Sequence, residues 1–315
     1  MARGRGRTIL AAIDIGSYSV HLLVGRVRGR RVDVVHDESA FLGLGRTIDR
    51  TGLLGPARRD LTATLAAYKI AALSQDASAV TVVGTDPLRR APDAAEAIQE
   101  IEAATGLRAA MISHEEEARI ALVGVTGGRP IVRSTAVVDV GGGSTEVLVA
   151  QPGIDPVAVG LPLGATRLTG MHVEHDPPTP LELAAMAAIA RAAMGDAPGP
   201  APAEAIAVGG TARSLLRVGP PLSNRALGRH RIENALALVG GSPSAQIAQR
   251  YSIRPSRAAV LAAGATILHA ALERYDLDHL RVARGGLREG LILATAQAGP
   301  DWRARLGELA RGWEH

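Results

Sequence analysis

Cysteine is absent from the 315 residues, which excludes a disulfide framework, a thiolate metal site and a cysteine nucleophile. Aromatic residues make up only 2% of the chain. Single-stranded nucleic acids are bound on aromatic stacking platforms, so no nucleic-acid partner is expected. No apolar run approaches the roughly 18 residues that cross a bilayer, so no membrane partner is expected either. The basic start, MARGRGRTIL, leads into only a few apolar residues before Asp14, too few for a signal-peptide core. These absences predict a cytoplasmic location. Lysine is the last scarcity: Lys69 is the only one.

What is present is apolar, small and rich in arginine. At 47% hydrophobic the chain is not disordered, and its length suits one large domain or two ordinary ones. The net charge is +4, yet the isoelectric point is near 10.0, because the basic set is almost wholly arginine. That bias, like the alanine excess, fits a GC-rich coding sequence. It also leaves many planar forks suited to phosphate and carboxylate.

Strand-like and helical patterns alternate along the chain. Apolar runs at 9–13, 20–27 and 32–35 are joined by short turns, which predicts an antiparallel meander. Leu61, Leu65, Tyr68 and Ala72 recur at helical spacing. Strands at 79–84 and 109–112 flank a helix at 94–104, and another helix begins near Glu115. After Thr126-Gly127-Gly128-Arg129-Pro130 the pattern restarts. Strands at 135–140, 145–150, 157–161, 205–208 and 280–283 are expected, with helices at 179–194, 232–251 and 255–274. The domain boundary therefore falls between 126 and 127: domain I is 1–126 and domain II is 127–315, with the last helix free to pack back on domain I.

An internal repeat organises this pattern. AIDIGSYSVHLLV, residues 12–24, lies over VVDVGGGSTEVLV, residues 137–149, without gaps. Asp14 matches Asp139, Gly16 matches Gly141 and Ser19 matches Ser144. Each copy reads strand, Asp-x-Gly turn, strand. A tight hairpin would use the same residues, but two copies, each opening one half of the chain, predict two similarly folded halves facing each other across a cleft. Glycine lets backbone approach a ligand, and successive N–H groups can cradle phosphate oxygens. Ser17, Ser19, Ser144 and Thr145 add hydroxyls. The aspartates would repel phosphate without a cation, so Mg²⁺ is implied. Gly209-Gly210-Thr211 is a third candidate loop, or simply a strand-to-helix turn.

Ser113 and Glu116 have capping-box spacing. Glu117 is not needed for the cap, and a carboxylate near the hinge of the two halves could orient and deprotonate a water.

Together these segments resemble the exopolyphosphatase and guanosine pentaphosphate phosphohydrolase family, of the actin-like and sugar-kinase-like ATPase superfamily. The similarity runs from about Ile9 to about Ala296. It is carried by Asp14-Ile15-Gly16-Ser17, Thr85 to Arg89, Glu116-Glu117-Ala118-Arg119, Asp139 to Glu146, Gly209-Gly210-Thr211 and Gly286-Leu287-Arg288-Glu289-Gly290. The length matches short members without a C-terminal HD-type domain. The resemblance implies an α/β fold of two ribonuclease-H-like domains and hydrolysis of the terminal phosphoanhydride of inorganic polyphosphate, releasing orthophosphate. The alternatives are guanosine pentaphosphate as substrate, or a non-catalytic regulator that binds nucleotide or polyphosphate. A homodimer is compatible with either.

It further implies Glu117 as catalytic base and Arg89 as substrate-binding arginine, with Arg119, Arg167 and Arg213 as further candidates. The phosphate-binding set is then Asp14, Gly16, Ser17, Ser19, Arg89, Asp139, Gly141, Gly142, Gly143, Ser144, Thr145 and Glu146. Mg²⁺ falls to Asp14, Asp139 and Glu146, directly or through water. Three positions depart from the family pattern: Tyr18 and Asp93 where Asn is usual, and His114 where Gly is usual. Tyr18 is expected to narrow the entrance to the first loop or to donate through its hydroxyl.

Overall fold

The computed structural model describes residues 8–221 and 224–313. The chain forms two compact units, one of residues up to Pro130 together with Gly285 onward, the other Ile131–Arg284. The C-terminal residues from Gly285, grouped by sequence within 127–315, are thus counted with the first unit.

In the first unit β1 (Ile9–Ile15), β2 (Ser19–Arg28) and β3 (Arg31–Phe41) form the antiparallel meander. There follow α1 (Leu44–Thr51), α2 (Ala57–Ser74), β4 (Val80–Gly84), α3 (Asp86–Arg90), α4 (Ala94–Thr105), β5 (Ala109–Met111) and α5 (His114–Thr126). β4 and β5 add in parallel, giving the order β3-β2-β1-β4-β5. Successive strand residues point to opposite faces, and here both faces are buried. Ala11, Ile13 and Ile15 join Leu61, Leu65 and Ile101 on one side. Leu10 and Ala12 join Ile120 and Val123 of α5 on the other.

The second unit repeats the plan. It contains β6 (Thr135–Val140), β7 (Thr145–Gln151), β8 (Ile154–Leu161), α6 (Ala165–His172), α7 (Pro180–Met194), β9 (Glu204–Val208), α8 (Gly209–Leu215) and β10 (Ala226–Gly228). It continues through α9 (Arg229–Gly240), α10 (Ser244–Tyr251), α11 (Pro255–Ala258), α12 (Leu261–Tyr275) and β11 (His279–Val282). The order β8-β7-β6-β9-β11-β10 matches the first sheet with one strand added at the edge. The repeat reaches further than the hairpins: Asp14 pairs in register with Val83, and Asp139 with Val208, so all three strands recur at one offset. Gly241 and Pro243 lie between α9 and α10, so the single helix expected over 232–251 is two, since proline cannot continue a helix interior.

α13 (Leu287–Ala298) and α14 (Leu306–Arg311) complete the first unit. Leu291, Ile292, Trp302, Leu306 and Leu309 cover the same sheet face as α5. α5 and α13 approach backbone to backbone. A Cβ on Gly290 would sit 1.9 Å from the Ile120 carbonyl oxygen, and one on Gly124 2.0 Å from that of Gly286. No helix among the described residues is long and apolar enough to cross a membrane.

Candidate active site

Each Asp-x-Gly turn is closed by the same hydrogen bond. Gly16 N–H donates to Ser19 O at 3.2 Å, and Gly141 N–H to Ser144 O at 3.0 Å. In each, the serine hydroxyl then meets the side chain two residues on: Ser19 Oγ lies 2.6 Å from His21 Nε2, and Ser144 Oγ donates to Glu146 Oε1 at 2.7 Å.

Two helices that sequence periodicity missed, α1 and α6, hold the turns. Gly43 and Gly45 N–H donate to Tyr18 O and Ser17 O. Ala165 N–H donates to Gly141 O, and Thr166 and Arg167 N–H both donate to Gly142 O. A trans peptide places its N–H opposite its carbonyl. Turning the Gly141 and Gly142 carbonyls onto α6 therefore directs the Gly142 and Gly143 N–H groups away from it, as an anion cradle requires. Ser17 and Tyr18 place the Tyr18 and Ser19 N–H groups in the same way.

The hydroxyls behave differently from expectation. Ser17 Oγ donates to Asp86 Oδ2 at 2.5 Å, and the wholly buried Thr145 Oγ1 to Leu163 O. Both therefore brace the loops from within. Asp86 was not singled out from sequence. An Asp-Pro pair reads as a turn, and the side chain acquires its meaning only from Ser17, 69 residues away, and from Arg90, which donates to it at 3.2 Å.

Arg89, one turn along α3 from Asp86, donates through Nη1 to Glu117 Oε2 at 2.8 Å and to Ile112 O at 3.0 Å. α3 thus connects the first loop to Glu117. The capping box forms as expected: Ser113 Oγ accepts from Glu116 N–H, and Glu116 Oε2 accepts from Ser113 N–H. Glu116 also takes a two-pronged bond from Arg303, at 2.6 and 2.9 Å. Glu117, 7% exposed, stands outside this arrangement. Burial, with the Arg89 charge, holds the His114 pKa below the usual imidazole value against the opposing pull of Asp86, which favours a neutral ring here.

In the second unit Asp139 and Glu146 are direct partners in the β6–β7 register, and cross-strand partners share a face. Gly209, at φ 87°, lies so close that a Cβ would be 2.7 Å from Asp139 Oδ1. α8 begins at this glycine, so the third loop is the first turn of a helix. Thr211 is buried, with its Oγ1 3.5 Å from Val140 O.

The other candidates have local partners. Arg167 donates to Gly143 O and Pro162 O, and Arg119 pairs with Glu115 one turn away. Arg288 is buried against Asp37 and Leu22 O, which gives its segment a packing role. Asp93 accepts from Leu54 and Gly55 N–H. Burial works against its ionisation, but those bonds and Arg58 outweigh it and lower the pKa. The Tyr18 ring is 9% exposed and stacks edge-on against Phe41, centroids 5.0 Å apart. The ring therefore has a packing role.

Residues 23–298 match the Ppx/GppA phosphatase family. The chain belongs to that family. A crystal structure of the Aquifex aeolicus member of the Ppx/GppA family is 26% identical to it, with a TM-score of 0.79 over 94% of this chain and 99% of that one. Exopolyphosphatase 1 of Mycobacterium leprae is 27% identical over 94% of this chain and 91% of its own. Exopolyphosphatase 2 of Mycobacterium tuberculosis is 29% identical over 92% and 99%. The Ppx/GppA match begins after the first loop, which the internal repeat relates to the second.

Proposed function

We propose that this Ppx/GppA protein is an exopolyphosphatase that removes the terminal phosphate of inorganic polyphosphate. The observation that carries the reading is Glu117, a buried carboxylate outside the capping box and gripped by Arg89. Its oxygen takes a proton from water as that water's oxygen bonds to the terminal phosphorus. The bond from phosphorus to the bridging oxygen breaks, releasing orthophosphate and leaving the shortened chain with the electron pair. Arg89 and the N–H groups of the first loop, in the same unit as Glu117, hold the phosphate oxygens through charge-assisted bonds. The names of the mycobacterial relatives support polyphosphate as the substrate class.

The second loop fits a divalent cation, which we assign as Mg²⁺. Asp139 and Glu146 offer only oxygen donors, as Mg²⁺ prefers. Like charges directly opposite one another on two strands are destabilising, a cost that a cation removes. When bound, the ion neutralises charge on phosphate oxygens.

Phosphate release from long polyphosphate, guanosine pentaphosphate and ATP tests the reading. Rapid release from polyphosphate is expected, falling about 10²-fold or more in Glu117→Gln, with Glu116→Gln as the matched control. Faster turnover of guanosine pentaphosphate would make that nucleotide the substrate. Binding without turnover would make the protein a regulator.

A further inference from the structure

The two loops are closed by the same backbone hydrogen bond and carry different residues opposite the aspartate. Across β1 and β2, Asp14 faces His21; across β6 and β7, Asp139 faces Glu146. The serine contact is kept in both, to His21 Nε2 in one and to Glu146 Oε1 in the other. The position opposite the aspartate is therefore built alike twice, with its chemistry exchanged.

We infer that His21 is a positioning residue that divides labour between the loops: it makes the first a phosphate loop without a cation and leaves the second as the only metal loop. A carboxylate opposite Asp139 creates an oxygen-only pair whose repulsion an ion relieves. An imidazole opposite Asp14 does the reverse. Its N–H dipole answers the aspartate from within the protein, and it replaces an oxygen donor with a nitrogen that Mg²⁺ accepts poorly. With Asp14 answered by His21, the N–H groups of Tyr18 and Ser19 meet a phosphate with less opposition and without an intervening ion. Under this inference Asp14, assigned to the metal because an aspartate would repel phosphate without a cation, instead orients the His21 ring.

This inference rests on the second loop holding the metal, and counting ions separates the two claims. Mn²⁺ serves as an oxygen-preferring, paramagnetic probe, and bound ion is counted by electron paramagnetic resonance on the full chain. One ion is expected in the wild type and two in His21→Glu, which gives the first loop the second's donor pair. Asp139→Asn should reduce the wild-type count to none. Two ions in the wild type would overturn the inference while sparing the second-loop site, as would one in both wild type and His21→Glu. No ion in the wild type would remove the second-loop site itself, and the inference with it.

A second measurement covers the case in which His21→Glu does not fold. Tripolyphosphate binding is followed by calorimetry in the presence of a chelator. His21→Gln should weaken it by about tenfold, the scale of one charge-assisted bond, and His21→Arg should retain it. Equal affinity of wild type and His21→Gln would overturn the inference.

Discussion

Replacing Arg89 by methionine keeps most of the side chain's length and removes its guanidinium. The structure sets the size of the consequence. Arg89 and Glu117 side chains are only 14% and 10% exposed, and their contact is 2.8 Å, so solvent screening is weak. Deleting one partner of such a pair leaves a buried charge unanswered, at about 3–5 kcal/mol. The loss of the bond to Ile112 O adds about 1 kcal/mol. At about 2–4 °C per kcal/mol for a unit of this size, the unfolding transition of the first unit should drop by roughly 8–24 °C. Glu117→Gln keeps an acceptor for Arg89 and should cost less, about 1–2 kcal/mol. The double variant should lie well above the sum of the two, with about 2 kcal/mol or more of coupling, because no charge is left unanswered. Urea and thermal unfolding of the four proteins close the cycle, and phosphate release is measured on each. Stability should return in the double variant while turnover stays lost. Additivity within about 0.5 kcal/mol would show that the pair does not interact. Recovery of turnover along with stability would refute Glu117 as the base.

Three further outcomes are expected. Glu116 is held below its ordinary pKa of 4.5: burial opposes ionisation, but the Arg303 and Ser113 hydrogen bonds outweigh it. Its contribution is therefore complete above pH 4.5 and fades as the pH falls through the lower, folded value. Arg303→Ala should cost up to about 1 kcal/mol at pH 7, given the partial exposure, and its unfolding curve should converge on the parent's in acid. Tyr18→Asn should destabilise by about 3 kcal/mol, the scale for losing a buried aromatic ring, and leave the ratio of polyphosphate to guanosine pentaphosphate hydrolysis unchanged; a changed ratio would restore the ring to a role in selectivity. Gly290→Ala should cost about 3 kcal/mol or more in thermal unfolding, because its Cβ would sit 1.9 Å from a backbone oxygen. Gly170→Ala, with nothing within 4 Å of the added carbon, should instead gain up to about 1 kcal/mol in the interior of α6.

The meander and the repeat were legible because both halves write the same turn in Asp, Gly and Ser between alternating apolar residues. The capping box before α5 was legible for a similar reason: its two partners are three residues apart. What could not be read depends on distance. α1 and α6 have weak local helix signals, with Gly45 and Gly170 inside them, and take their places by donating to the loop carbonyls. Asp86 is an ordinary turn residue until Ser17 is beside it. Arg89 was selected through the family resemblance, and Glu117 first as a carboxylate the cap does not need, yet their mutual bond spans 28 residues and no spacing rule anticipates it. The pairing of Asp14 with His21 was implicit in the hairpin register, but the contrast with Asp139 and Glu146 emerges only when both registers are laid side by side.

The first sheet owes the cover on one of its faces to residues from both ends of the chain. Leu10, Ala12 and Leu23 are shielded partly by α5 and partly by Leu287, Leu291, Ile292, Trp302, Leu306 and Leu309. The second unit, by contrast, draws its core from one continuous stretch. On a ribosome the order of completion is therefore inverted. The second unit has all its residues before the first can close, and the strands made earliest wait with apolar surface exposed until α13 and α14 emerge. Exposed surface of this kind invites aggregation and chaperone capture, so slow synthesis of the last segment should burden the nascent protein more than a pause at the boundary near Pro130.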